Sequence, residues 1–249
     1  MDKPKLRDAR NRKSSEPFGL NLVPDDVVRA IGEYLVYLIS TGRTDISGDD
    51  WGDALATAID GTHLSSPLGI ADVVLDEMAW STKTVKFMAA TGVFNAKNIS
   101  LISGRCSPDY SYGITDPHAD IQKTGAAVLS IWNERVNIAQ DNYSSVRASV
   151  LVRSPNLLSY VLFEEESHRF RTTDYEWRIN KNGNLKGFLR GTEKQLFTWQ
   201  PHGSQFTIHT EVPHSAKKFT IKSPPMISKS EILSAIGFDP SWVTILPLN

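Results

Sequence analysis

Between residues 69 and 87 two apolar arms, rich in β-branched residues, flank the polar pair Asp76-Glu77. Runs of this kind around a short polar break predict two strands joined by a tight turn. With Glu77-Met78 as a two-residue turn, Asp76 faces Ala79, Val74 faces Ser81, and Asp72 faces Lys83. Directly opposed residues of an antiparallel pair hold their Cβ atoms about 5 Å apart. The hairpin therefore brings a carboxylate and an ammonium together on a rigid frame.

Ahead of the hairpin the period is helical. Pro24 suits the start of a helix, where its missing N–H is not needed. Val27, Val28, Ile31, Leu35, Leu38 and Ile39 follow at helical spacing until Gly42. A second helix is predicted over about 49–60, with Ser47 and Asp50 as a capping pair, Trp51, Leu55, Ala58 and Ile59 as its stripe, and Gly61 beyond its end. After the hairpin comes a short strand at 99–103, a turn-rich loop over 104–117, and a third helix over roughly 119–139. Ile121, Val128, Ile131, Trp132 and Val136 give that helix its buried side.

From there the pattern turns to strands, at 146–153, 157–164, 174–180, 184–190, 194–199, 205–210 and 219–222. Asn182-Gly183 marks a hairpin turn. Ser228-x-x-Glu231 opens a last short helix that stops at Gly237. Helices and a hairpin followed by a run of strands predict an α+β fold, with a mixed central sheet flanked by helices and a β-rich C-terminal part. The expected organisation is a basic, flexible arm over 1–16 and one domain over 17–249. The core of that domain spans about 20–140 and its β-rich part about 145–225.

Composition narrows the function. Hydrophobic residues make up 40% and charged residues 22% of the 249, as in ordinary globular domains. No apolar run reaches the roughly 18 residues of a membrane span, and the stretch 34–39 is too short and too late for a signal peptide. Cys106 is the single cysteine, which excludes an internal disulfide and a multi-cysteine zinc site. A cytoplasmic protein without a membrane partner is expected. The formal net charge of −1 argues against nonspecific coating of nucleic acid. The charge is unevenly spread, however: residues 1–13 hold six Lys and Arg against two Asp. Such an arm suits phosphate contacts or a solvated terminus. No Walker A loop, GxGxxG fingerprint, GxSxG elbow or His-x-x-x-His spacing is present.

Asp72, Ser81 and Lys83 carry the sharpest chemistry. Aspartate oxygens suit Mg²⁺, and a lysine beside an attacking water can orient or deprotonate it. The plain alternative is a cross-strand ion pair. The stretch resembles the PD-(D/E)xK nuclease motif, with Asp72 as the first acid and Lys83 as the lysine, and the chain looks like a type II restriction endonuclease. Leu68-Gly69-Ile70-Ala71 resembles the family's lead-in, with Ala71 in place of the usual proline. Ser81 stands where the family usually has an acid, similar to Ser-x-Lys variants that draw the missing carboxylate from another element.

The resemblance implies a Mg²⁺-dependent endonuclease of a restriction-modification system. It would cut double-stranded DNA to 5′-phosphate and 3′-hydroxyl ends, as a homodimer on palindromic sites. Asp72 would bind metal, and Glu33 or Glu134, on the first and third helices, would supply the displaced acid. Two turns offer recognition groups. Arg105, Ser107 and Tyr110 lie in the loop after the 99–103 strand, and Gln200, His202, Ser204 and Gln205 form a polar hairpin tip. Arginine and glutamine pair well with guanine and adenine edges, and hydroxyls contact phosphates. Lys86, on the face opposite Lys83, is a further DNA-backbone candidate. A noncatalytic DNA-binding module and a structural domain are the rival readings.

Overall fold

A computed structural model describes residues 16–246. The predicted basic arm lies outside the described residues except for Glu16, whose carboxylate holds the buried Arg147 at 2.8 Å. The fold is α+β: a mixed six-stranded sheet with helices, and an antiparallel five-stranded sheet formed mainly by the C-terminal half.

Two helices come first, α1 (Asp25–Ser40) and α2 (Gly48–Ile59). The Ser47 hydroxyl accepts the Asp50 N–H while the Asp50 carboxylate accepts the Ser47 N–H, so α2 begins with a full capping box. Strands β1 (Thr62–Leu68), β2 (Ala71–Leu75) and β3 (Met78–Lys86) form an antiparallel meander. The chain then makes β4 (Asn98–Arg105), a single turn α3 (Pro108–Tyr112) and the long α4 (Ile121–Asn142). It returns as β5 (Ser145–Arg153), parallel to β3, and β6 (Ser159–Glu166). Strands β7 (Tyr175–Ile179), β8 (Leu185–Leu189), β9 (Gln195–Gln200) and β10 (Gln205–Glu211) add the second sheet, in the order β4-β10-β9-β8-β7. Finally β11 (Lys217–Thr220) closes the first sheet, in the order β1-β2-β3-β5-β6-β11, ahead of α5 (Lys229–Ala235).

The two faces of the first sheet are covered differently. Leu35 of α1 and Trp51 and Leu55 of α2 pack on Val73, Met78, Trp80, Leu151 and Leu162. On the other face, Val128, Trp132 and Val136 of α4 pack with Ala79 and Val146 and reach Phe197 and Phe206 of the second sheet. Alternation along β3 thus sends Trp80 toward α2, and Ser81 and Lys83 toward α4 and the second sheet.

Candidate active site

The hairpin register differs from the expected one by two residues. Leu75 pairs with Met78, Val74 with Ala79 and Val73 with Trp80, so the turn is Asp76-Glu77. Asp76 adopts φ +49°, as a tight turn of this kind requires. A slip of one residue would invert every side chain, whereas a slip of two preserves faces. Asp72 therefore stands beside Ser81, with Lys83 one step along the same face.

At Asp72 the ladder gives way to side-chain chemistry. Beyond Val73 the Asp72 carboxylate takes the Thr82 N–H at 2.8 Å. The same Oδ2 accepts from Ser81 Oγ at 3.3 Å and Thr82 Oγ1 at 3.5 Å, and lies 3.7 Å from Lys83 Nζ. Lys83 also donates to Ser81 Oγ at 2.7 Å and to the Thr82 carbonyl at 3.1 Å. Ser81, itself buried, thus bridges the lysine and the aspartate. The Lys83 side chain is only 16% exposed. Burial lowers its pKa from the usual lysine value, Asp72 opposes that shift, and Arg135 reinforces it.

The pair opens into a cleft of about 550 Å³ whose walls include Asp49, Asp53, His63, Asp72, Thr82 and Lys83. The sequence pattern did not single out Asp53 or His63. Asp53 and Asp49 lie one helical turn apart at the start of α2, which is a legible signal. His63 lies on a polar edge strand that carries none. A bulge in β1 between His63 and Leu68 peels β1 from β2 and exposes this end of the sheet. On the opposite side, Ser81 and Lys83 also line a cavity of about 190 Å³ between the sheets, with Glu165, His168 and His209. Burial pushes the Glu165 carboxyl up, against the Thr210 hydroxyl that donates to it at 2.7 Å.

The expected second acids are not brought here. Glu33 is exposed on α1, in a groove with Phe219 and Ile221 at the β11 edge. That strand lies four places from β2, about 19 Å at ordinary strand spacing. Glu134 is exposed on α4 and accepts from Asn137 at 3.2 Å. The helix phase explains both corrections: α4 directs Arg135, not Glu134, toward Lys83. Among the described residues no three His, Cys, Asp or Glu side chains cluster closely enough to hold a metal ion. The donor set does not fit a metal caged by protein. It fits a hydrated Mg²⁺, which needs one or two carboxylates and fills its shell with waters and substrate phosphate.

The two turns expected to carry recognition groups converge. Arg105 pairs with Gln205, which pairs with Gln200 across the second sheet. The Cys106 N–H donates to the Ser204 carbonyl at 2.8 Å, and the Trp199 indole donates to the Cys106 carbonyl at 2.8 Å. Ser107 caps α3 by accepting the Tyr110 N–H, and leaves Tyr110 93% exposed. His202 lies at the exposed tip. Lys86 does not join them; it lies 4.0 Å from Asp45 on the α1–α2 connection. Cys106 is buried, and desolvation pushes its thiol up to about 12 against the pull of Arg135.

No family model, curated protein or solved structure matches this chain. No helix among the described residues is long and apolar enough to cross a membrane.

Proposed function

We propose that this protein is a Mg²⁺-dependent endonuclease for double-stranded DNA, resembling type II restriction enzymes of the PD-(D/E)xK class with a Ser-x-Lys motif. The observation that carries the reading is the Asp72–Ser81–Lys83 constellation, in which a half-buried carboxylate and a desolvated lysine share one hydroxyl at the mouth of an open cleft. A structural ion pair has no need of a cleft beside it, and partial burial of two charges is poor value for stability alone.

Mg²⁺ bound at Asp72 would polarise the scissile phosphate. Lys83, held by Ser81 and the Thr82 carbonyl, is placed to orient the attacking water and to neutralise charge on the phosphorus oxygens. Ser81 takes the place of the usual second acid and keeps Lys83 aimed at Asp72. The products would carry 5′-phosphate and 3′-hydroxyl ends. Arg105, Gln200, Gln205 and the exposed Tyr110 offer polar groups suited to groove contacts. A homodimer matches palindromic DNA, and a restriction-modification role follows from the same reading.

Plasmid and phage DNA incubated with Mg²⁺ should yield discrete fragments, and EDTA should abolish them. Asp72→Ala and Lys83→Ala should each reduce cutting at least about 1000-fold, with circular dichroism unchanged. Tight DNA binding without cutting on varied DNA would favour a noncatalytic binding module, which these polar groups also support. A fully active Lys83→Ala protein would overturn the site.

A further inference from the structure

The same cleft holds a second hydrogen-bonded side-chain pair that the nuclease reading leaves without a task. His63 Nδ1 lies 2.7 Å from Asp53 Oδ1. Asp53 projects from α2, and His63 lies on β1 at its last regular pair with β2, opposite Val73 and just before the bulge. The imidazole lies against the α2 backbone at Gly52, where an added Cβ would meet Nε2 at 2.5 Å. Only glycine lets the ring sit there. The His63 side chain keeps 21% of its surface, and Nε2 makes no hydrogen bond among the described residues. The ring is therefore fixed at one nitrogen and open at the other, on the wall that faces Asp72, Thr82 and Lys83. Asp49 and Asp53 on α2, Asp72 on β2 and Lys83 on β3 are the charged groups lining that space, and Tyr34 of α1 lies near enough to feel the Asp53 charge.

We infer that His63, oriented by Asp53, is the catalytic residue that protonates the leaving 3′-oxygen. The inference rests on the nuclease reading and gives it the group it lacks: Lys83 attends the entering water, but nothing on the hairpin serves the departing oxygen. In the imidazolium form Nδ1–H donates to Asp53 and Nε2–H is left to donate. The water oxygen forms the new bond to phosphorus as the P–O3′ bond breaks, and that electron pair leaves on O3′. His63 transfers its Nε2 proton to O3′, giving the 3′-hydroxyl, while the proton of the attacking water passes to solvent. Solvent then reprotonates His63. Asp53 is a positioning residue, because it fixes the ring through Nδ1 and does not touch the reacting atoms.

A sulfur leaving group separates this role from a structural one, since a thiolate departs without being protonated. After fragment ends have located the cut, two duplexes are compared in Mn²⁺, one natural and one with 3′-bridging sulfur at the scissile linkage. His63→Gln should slow cutting of the natural duplex by about 100-fold or more, yet cut the sulfur duplex within a few fold of wild type. Asp53→Asn should show the same pattern, less severely. Equal slowing on both duplexes, or none on either, overturns the role of His63 while the nuclease reading stands. If wild-type protein cuts neither duplex, both fall.

Discussion

Lys83 and Glu165 line the same cavity between the sheets, and burial disfavours the charged form of each. For Glu165 this has a pH consequence. Its carboxyl is raised by burial, with the Thr210 hydroxyl and the nearby His168 pulling the other way. Below the ordinary glutamate value the group is protonated in both folded and unfolded chains and carries no penalty. As pH rises, the unfolded chain ionises first, so the folded state binds the extra proton and stability falls until pH passes the raised folded value. Glu164 is raised by burial as well, despite Trp80 and Arg147, so wild-type protein alone cannot separate the two. Glu165→Gln should flatten the loss of stability between acid and neutral pH by the share that Glu165 contributes. Urea melts at a series of pH values measure it, and parallel curves for the two proteins would show that Glu165 does not ionise at a cost.

Among the elements, α2 carries both a structural and a chemical load. Its capping box fixes the first turn, from which Asp49, and one turn further on Asp53, line the cleft. Ser47→Ala should cost about 1 kcal/mol, seen as a shift of the urea midpoint at constant m-value; a change below about 0.2 kcal/mol would mean that Asp50 and its ion pair with Arg43 hold the helix start without the serine. This cap was legible in the sequence because Ser47 and Asp50 sit at fixed spacing ahead of an apolar stripe. So were both long helices and most strands, where apolar periodicity runs unbroken. What failed to show were features that periodicity does not encode. Strand β1 reads Thr-His-Leu-Ser-Ser-Pro-Leu and is largely exposed at the sheet edge, so it has no apolar face to announce it. The hairpin register depended on the choice of turn, and Asp76-Glu77 rather than Glu77-Met78 makes the turn. Glu33 and Glu134 were sought by residue type, but helix phase points both to solvent.

At the scale of the molecule, one residue touches both halves of the proposed chemistry. The Arg135 carbonyl of α4 sits against the lead-in to β2, where Gly69 at φ +68° has no room for a Cβ. Its guanidinium lies beside Gly104 on the second sheet, 3.1 Å from where a Cβ would stand. The same charge acts on Lys83 and on Cys106. Arg135 thus spans the distance from the hairpin to the polar groups of Arg105, Gln200 and Gln205. No sequence pattern announces it, because the second sheet that it reaches joins strands about one hundred residues apart, β4 and β10. If the nuclease proposal holds, an arginine in this position would hold a phosphate between cutting and recognition. Arg135→Gln should therefore weaken DNA binding about equally for every sequence and reduce the slope of log affinity against log salt by about one. Fluorescence anisotropy on specific and scrambled duplexes over a salt series measures both quantities. A loss confined to one sequence would assign Arg135 to base readout, and an unchanged salt slope would place it outside the DNA contact, as a strut that only joins α4 to the two sheets.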